Sequence, residues 1–181
     1  MRIISGKYGR RLIKPPKNLP VRPTTDMAKE SLFNILSNKI NFEGKSVLDL
    51  FSGTGAISYE FISRGCAPVT SVELNFQCVK FIRSTSANFQ MESHKVIRSE
   101  VFRFLKSIRN KYDIIFADPP YVLENIDEIS KLVFDNDLLN NGGLLIVEHP
   151  REVDFSNQKY FLEHRKYGKV NFSFFYYSTD I

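Results

Sequence analysis

The stretch SVLDLFSGTGAIS, residues 46–58, runs from an apolar strand through a glycine-containing turn into the first residues of a helix. Further apolar runs follow it along the chain. The predicted strands are 46–51, 69–74, 94–98, 112–117 and 143–149, and the helical segments between them lie near 56–64, 75–89, 100–109 and 126–139. Strands that alternate with helices at this spacing form a doubly wound, mostly parallel sheet with helices on both faces. The sequence therefore predicts an α/β fold.

The C-terminal stretch departs from this alternation. Residues 160–178 read as two β-rich pieces joined by Tyr167-Gly168-Lys169, which predicts an antiparallel hairpin that closes the sheet at its edge. The expected sheet is therefore mostly parallel and has seven strands.

The N-terminal stretch also departs from it. Residues 2–14 predict a small basic β-hairpin, and the proline-rich residues 15–23 predict an extended linker. Thr24 or Thr25 can then cap an amphipathic helix that runs to about Asn38. We therefore divide the chain into a basic extension, 1–24, and a main domain, 25–181.

The composition indicates one compact domain. The chain has 181 residues, 43% of them hydrophobic, and a domain of this size buries roughly 70% of its extended surface. No apolar run approaches the roughly 20 residues that cross a bilayer, and MRIISGKYGRR lacks the apolar segment of a signal peptide. We expect a cytoplasmic protein and, by default, a monomer. Cys66 and Cys78 are isolated and the histidines are scattered, so we expect reduced, buried thiols and no metal site.

The positive charge is concentrated at the N-terminus. The formal net charge is +5, with 25 basic and 20 acidic side chains. Residues 1–22 contain seven of the basic residues and no acidic residue, so the rest of the chain has 18 bases against 20 acids. The basic residues are Arg2, Lys7, Arg10, Arg11, Lys14, Lys17 and Arg22. This asymmetry indicates either a polyanionic partner or a solvated terminus without a specific partner.

The turn after the first strand predicts a nucleotide-like ligand. Missing side chains at Gly53 and Gly55 allow a ligand to lie against the backbone, but Ser58 stands where the dinucleotide fingerprint requires a small apolar residue. Asp49 would repel a pyrophosphate and attract a cationic amino-acid group, which favours S-adenosyl-L-methionine. Glu73 follows Gly53 by 20 residues and can accept both ribose hydroxyls. Alternatively, Asp49 stabilises a helix N-terminus and Glu73 is a solvated strand end.

Glu100 follows the third strand, where the loop can reach an adenine ring and the amide of Val101 can donate to a ring nitrogen. Glu100 can equally be an acid in the first turn of the next helix. The complete set of predicted cofactor-binding residues is Asp49, Phe51, Ser52, Gly53, Thr54, Gly55, Glu73, Leu74, Glu100, Val101 and Asp118.

The fourth strand ends abruptly in Asp118-Pro119-Pro120-Tyr121. Two prolines donate no backbone N–H, so the neighbouring carbonyls are directed away from regular structure. The Asp118 side chain and such a carbonyl can accept both N–H bonds of an exocyclic base amine and turn its lone pair toward a methyl donor. Tyr121 can stack on the base. The alternative is a rigid turn with a capping aspartate.

The combination of DLFSGTGAIS, VEL and DPPY resembles the class I S-adenosylmethionine-dependent amino-methyltransferases of nucleic acids. With MRIISGKYGRRL and RPTTDMAKESLFNIL added, the chain resembles the bacterial 16S ribosomal RNA guanine-N2 methyltransferase family RsmD over essentially its full length.

The resemblance implies a Rossmann-like methyltransferase domain that methylates the N2 amine of one guanine of 16S ribosomal RNA, within an assembled or assembling small subunit. Asp118 to Tyr121 would then hold the guanine, and residues 1–24 would be an RNA-binding extension. The nucleic-acid-binding residues so implied are Lys7, Arg10, Arg11, Lys14, Arg22, Thr24 and Asp26.

Two other functions fit parts of the sequence. The DPPY motif serves any exocyclic amine, which leaves an adenine-N6 methylase of DNA or RNA, although the chain has no inserted target-recognition domain. A non-catalytic RNA-binding assembly factor would use the basic extension alone, although such a protein has no need of Asp49, Glu73 and Asp118.

Overall fold

The computed structural model describes residues 1–17, 19, 21 and 25–179, which form five helices and seven strands. The helices are α1 (Asp26–Ser37), α2 (Ala56–Ser63), α3 (Phe76–Asn88), α4 (Val101–Ser107) and α5 (Asp127–Asp135). The strands are β1 (Val47–Leu50), β2 (Val69–Glu73), β3 (His94–Arg98), β4 (Tyr112–Ala117), β5 (Leu139–His149), β6 (Phe161–Tyr167) and β7 (Val170–Tyr176). None of the helices in these described residues is long and apolar enough to cross a membrane.

All seven strands belong to one sheet, in the order β3-β2-β1-β4-β5-β7-β6. Strands β1 to β5 are parallel, β7 is antiparallel to β5, and β6 is antiparallel to β7. The predicted α/β fold is therefore confirmed, including the C-terminal hairpin. The strand order reverses between β1 and β4, and the carboxyl ends of these two strands flank the crevice in which doubly wound folds bind ligands.

The sheet separates two apolar cores. Alternate residues of β4 face opposite sides, so Phe116 packs in the core with α1, α2 and α3, whereas Ala117 packs in the core with α4 and α5. Cys66 and Cys78 are buried as predicted, and burial raises the pKa of the Cys78 thiol to about 11.

The fifth strand is longer than the sequence predicts. It begins at Leu139 rather than 143, and α5 ends at Asp135 instead of near 139. Asp137 has a φ of 51°, which turns the chain out of the helix. Leu139 then pairs with Tyr112 ahead of a register shift in the β4–β5 ladder, so the first residues of β5 lie outside the uninterrupted apolar run.

The N-terminal hairpin packs against α2. A bridge pairs Arg2 with Leu12, and the amides of Ile4 and Ser5 donate to the carboxylate of Glu60 at 2.7 and 3.1 Å. Glu60 is fully buried and also pairs with Arg64. Because this carboxylate holds two backbone amides, the hairpin is docked on the main domain. The boundary predicted at residue 24 stays a prediction, because residues 22–24 lie outside the described chain.

The close approach of Gly6 to α2 makes a stability prediction. Gly6 has a φ of +82°, and a Cβ there would lie 1.8 Å from the carbonyl oxygen of Ser63. We expect Gly6→Ala to lower the free energy of unfolding by about 2 kcal/mol or more. We also expect it to make the N-terminal hairpin sensitive to trypsin at Arg10 and Arg11. Urea unfolding and limited proteolysis measure both effects.

The matched control is Gly168→Ala, because Gly168 has a φ of +59° and a Cβ there would contact nothing within 4 Å. This variant carries the backbone cost alone, about 1 kcal/mol. If the two variants lost the same free energy of unfolding and were equally sensitive to trypsin, the close approach of Gly6 to Ser63 would not be what holds the N-terminal hairpin on α2.

Candidate active site

The turn between β1 and α2 is built around left-handed backbone positions. Phe51, Gly53 and Gly55 have φ angles of 59°, 54° and 81°, and the amide of Gly55 donates to the carbonyl of Ser52 at 2.7 Å. A Cβ on Gly55 would lie 2.8 Å from the Tyr59 ring, whereas one on Gly53 would meet no atom closer than 3.9 Å. Gly55 is therefore required by packing, whereas a Cβ at Gly53 would make only ordinary van der Waals contacts with Val21 and the Phe51 carbonyl.

Asp49 lies in β1, buried between β2 and β4. Its carboxylate accepts a hydrogen bond from the hydroxyl of Ser58, which is 2.6 Å from that of Ser71. Burial raises the pKa of Asp49 to about 7; the Ser58 hydrogen bond opposes the shift, and the nearby Asp118 and Glu73 add to it. Three carboxylates thus lie close enough to interact, and a buried group of this kind is stabilised by a cation.

Glu73 ends β2 and holds the glycine turn. One carboxylate oxygen accepts from the amide of Gly53 at 2.8 Å, and the other accepts from the amide of Asn75 at 2.7 Å. The side chain is buried, so it is not a solvated strand end. Each oxygen has a second acceptor site, which can take a ribose hydroxyl.

Glu100 is the N-cap of α4. Its carboxylate oxygens accept from the amides of Phe102 and Arg103 at 2.9 and 2.7 Å, so the helix-capping alternative describes its contacts. The contact of Glu100 and Val101 with an adenine stays a prediction. A cavity of about 500 Å³ lies beside them, next to the end of β2, and is lined by Leu74, Arg98, Ser99, Glu100 and Arg103.

Asp118 follows the last residue of β4. It therefore lies at the carboxyl end of the parallel strands, as the glycine turn after β1 does. Ala117 pairs with Leu50 of β1 on one side and with Val147 of β5 on the other. Pro119 is buried, and Pro120 and Tyr121 are exposed. The DPPY segment and the glycine turn therefore both follow the carboxyl ends of neighbouring parallel strands, as the sequence predicts.

One acid in this region lies outside the predicted set. The hydroxyl of Tyr121 donates to a carboxylate oxygen of Glu148 at 3.3 Å, and Glu148 is buried near the end of β5. The sequence signal was an acid at the end of an otherwise apolar strand, GLLIVEH. Its closeness to Tyr121 depends on β4 and β5 being neighbours, which local patterns do not specify.

The N-terminal segment borders the glycine turn. The hydroxyl of Thr54 contacts the sulfur of Met1 at 3.4 Å, and the side chain of Val21 lies 3.9 Å from the position that a Cβ at Gly53 would take. Asp26 begins α1 and pairs with Arg2 at 3.2 Å. Thr25 is the N-cap of this helix; the predicted contacts at Arg22 and Thr24 lie outside the described residues.

The predicted phosphate contacts lie on the docked hairpin and are exposed: Lys7, Arg10, Arg11 and Lys14. The Arg11 guanidinium lies 5.2 Å from the ring centres of both Tyr8 and Phe89. The aromatic rings therefore hold the Arg11 side chain in place on the exposed side of the hairpin, and the Lys7 ammonium also lies 5.3 Å from the Tyr8 ring centre. Among residues 1–17, 19, 21 and 25–179, no cluster of three or more His, Cys, Asp or Glu could hold a metal ion.

Comparison with known proteins agrees with this geometry. The family described as conserved hypothetical protein 95 matches residues 1–176. The ribosomal RNA small subunit methyltransferase D of Buchnera aphidicola is 32% identical over 154 residues, covering 85% of this chain and 78% of that protein. The chain belongs to this RsmD family. The resemblance stated from the motifs is confirmed, and the protein is a methyltransferase.

Two further comparisons, one of sequence and one of structure, are with Escherichia coli proteins. The Escherichia coli ribosomal RNA small subunit methyltransferase D is 32% identical over 148 residues, covering 82% of this chain and 74% of that protein. The solved structure of the Escherichia coli protein yhhF superposes with a TM-score of 0.85 at 27% identity, covering 98% of each chain. The RsmD fold is therefore shared from the N-terminal hairpin to the last strand.

Proposed function

We propose that this protein transfers a methyl group from S-adenosyl-L-methionine to the N2 amine of a guanine in 16S ribosomal RNA. The observation that carries the proposal is the position of Asp118 to Tyr121. These residues lie at the carboxyl end of the parallel strands, close to Asp49 and Glu73. The names of the RsmD relatives support the ribosomal RNA class of substrate.

The residues of the cofactor end fit S-adenosyl-L-methionine, which supplies a methyl group activated by a sulfonium. The carboxylate of Asp49 suits the cationic amino-acid part. Glu73 is fixed by two backbone amides and can accept the ribose hydroxyls. Gly53 has no side chain and a positive φ, so a ligand can approach the backbone of the turn closely there.

At the substrate end, the chain positions an amine. Asp118 and an adjacent carbonyl accept its N–H bonds and turn the lone pair toward the methyl group, and Tyr121 stacks on the base. The lone pair forms the new N–C bond, the electrons of the broken C–S bond stay on sulfur, and one amine proton passes to Asp118 and then to water. The contribution of Asp118 is thus to orient the amine and to accept charge that develops on it.

The basic hairpin supplies the contact with RNA phosphates. It is docked beside the cofactor turn through Glu60 and Met1, so RNA bound along it would pass near the DPPY segment. We propose that the substrate is the assembled or assembling small subunit in the cytoplasm, and that the enzyme acts as a monomer.

The direct test incubates the protein with radiolabelled S-adenosyl-L-methionine and, in parallel, unmethylated small ribosomal subunits, naked ribosomal RNA and duplex DNA. Nucleoside mass analysis then identifies the product. We expect N2-methylguanosine from ribosomal material. N6-methyladenine would favour the adenine methylase, and RNA binding without transfer to any substrate would favour the assembly factor.

The hairpin makes a prediction about salt dependence. Arg10→Gln with Arg11→Gln should weaken RNA binding and reduce the slope of log affinity against log salt by about 1.5 to 2, because two phosphate contacts are lost. Fluorescence anisotropy with ribosomal RNA at several salt concentrations measures the slope. The control is Lys166→Gln with Lys169→Gln, which removes two exposed cations in and next to β6, the edge strand at the C-terminal side of the sheet. An unchanged slope in the arginine variant would exclude the hairpin as a phosphate contact.

A further inference from the structure

Glu148 occupies a position next to Asp118 on the sheet. Ala117 pairs with Val147, so Asp118 and Glu148 are the next residues in register on the neighbouring strands β4 and β5. Phe116 and Ile146 are paired two residues before Asp118 and Glu148, and both pack in the core with α1 and α2. Side chains alternate along a strand, so those of Asp118 and Glu148 leave the sheet on this same side.

The carboxylate of Glu148 lies at the edge of the ring expected to stack on the base. One of its oxygens accepts from the Tyr121 hydroxyl at 3.3 Å, and the residue is only 7% exposed. Burying a carboxylate at the end of an apolar strand is costly and requires polar partners. A carboxylate accepts hydrogen bonds at about four positions, so it can hold Tyr121 and also receive a donor from the substrate.

The bases differ in what lies beside their exocyclic amine. In guanine the N2 amine lies between N1–H, a donor, and N3, an acceptor. In adenine the N6 amine is next to N1 and near N7, and in cytosine the N4 amine is next to N3; all of these are acceptors. An aspartate with two prolines can hold any such amine and does not by itself select one base. A second acceptor on the N1 side of the amine pairs with N1–H of guanine, whereas it repels N1 of adenine and N3 of cytosine.

We propose that Glu148 is a specificity-determining residue that accepts the N1–H of the target guanine and thereby excludes adenine. This inference rests on the proposed guanine-N2 activity and names the group that selects the base. Asp118 orients the amine, Tyr121 stacks, and Glu148 reads the neighbouring ring position. A site built to accept a hydrogen bond rejects an analogue that lacks the donor, because its own acceptor is left unpaired.

The probe for this role is 2-aminopurine, which keeps the 2-amino group but has an acceptor at N1. The modified guanine is first mapped on small subunits, and reconstituted subunits then carry guanine or 2-aminopurine at that position. We expect the wild type to prefer guanine strongly in kcat/KM. Glu148→Gln should reduce that preference at least about tenfold, because its amide can donate to N1 of 2-aminopurine. Its affinity for S-adenosyl-L-methionine should stay unchanged.

Two control variants separate base reading from support of Tyr121. Tyr121→Phe removes the hydroxyl that contacts Glu148, and it should lower both rates by the same factor while the guanine preference stays as in the wild type. Glu152→Gln changes an exposed carboxylate in the turn after β5 and should alter neither rate. If Glu148→Gln does not fold, Glu148→Asp withdraws the carboxylate while keeping its charge, and it should also reduce the preference.

The outcomes distinguish this inference from the proposed function. A wild-type enzyme that methylates adenine, or no base at all, would overturn the proposed function itself. A wild type that makes N2-methylguanosine, together with a Glu148→Gln variant of unchanged preference, would overturn only the role of Glu148. Loss of preference in Tyr121→Phe equal to that in Glu148→Gln would show that Glu148 acts only through Tyr121, which also overturns it.

Discussion

We expect Asp118→Ala to lower the rate of methyl transfer by roughly 10²- to 10⁴-fold and to leave RNA affinity within about twofold of the wild type. In the proposed mechanism the Asp118 carboxylate accepts from the amine and does not contact phosphate, so its loss would remove lone-pair alignment without removing charge pairing with RNA. Single-turnover transfer of label and anisotropy with ribosomal RNA measure the two quantities separately.

Asp118→Asn is the matched variant, because its amide oxygen keeps one acceptor while the charge is lost. We expect an intermediate rate. Both variants also remove a negative charge near Asp49, which makes Asp49 easier to ionise but removes part of the attraction for a cationic cofactor, so the rates are compared at saturating S-adenosyl-L-methionine. A rate for Asp118→Ala within tenfold of the wild type would contradict the assigned role, and RNA affinity that fell in parallel with the rate would favour a binding role.

The cofactor end could be predicted because its signals are local. One strand, one turn and one helix start place Asp49, Gly53 and Gly55 in sequence, and Glu73 follows at the end of the next strand. Positive φ at both glycines and the bond from Gly53 to Glu73 agree with that prediction. For Glu100 the local pattern was compatible with two roles; the positions of the Phe102 and Arg103 amides show that it caps the helix, and its contact with an adenine stays a prediction.

The substrate end could be predicted only in part because it depends on strand order. The DPPY segment carries its chemistry in consecutive residues. Glu148 joins Tyr121 only because β5 lies beside β4, and the two residues are 27 positions apart. Docking of the hairpin has the same origin, since Glu60 receives amides more than 50 residues away. Long-range pairing of this kind leaves no periodic signal in the sequence.

The buried carboxylate of Asp49 makes cofactor affinity depend on pH. Its pKa is raised to about 7 by burial, so much of the unliganded protein is protonated there below neutral pH. Only the ionised form attracts the ammonium group, so affinity for S-adenosyl-L-methionine should rise from pH 5.5 to 7.5, by up to about tenfold per unit at the acid end. Isothermal titration calorimetry across this range measures the effect, and a flat profile would contradict it.

Ser58→Ala tests whether the pKa of Asp49 controls the pH dependence of cofactor affinity. The Ser58 hydrogen bond lowers the pKa of Asp49, so its removal should move the affinity profile to higher pH. Ser156→Ala is the control, because Ser156 is an exposed hydroxyl that bonds to Asp154, away from the cofactor turn. A profile that moves to lower pH in Ser58→Ala would show that another group controls the titration.

Asp49→Asn separates binding from stability. A carboxyl whose pKa is higher in the folded state stabilises the fold while it is protonated, and that stability is lost as the pH rises from about 4 through about 7. At pH 8 the free energy of unfolding of Asp49→Asn should therefore exceed that of the wild type by up to about 4 kcal/mol. The variant should at the same time lose most of its affinity for S-adenosyl-L-methionine. Urea unfolding at pH 5 and pH 8 checks the sign, because the gain should be smaller at the lower pH. An Asn variant less stable than the wild type at pH 8 would mean that the carboxylate contributes to folding, and its burial would then need no cationic ligand to explain it.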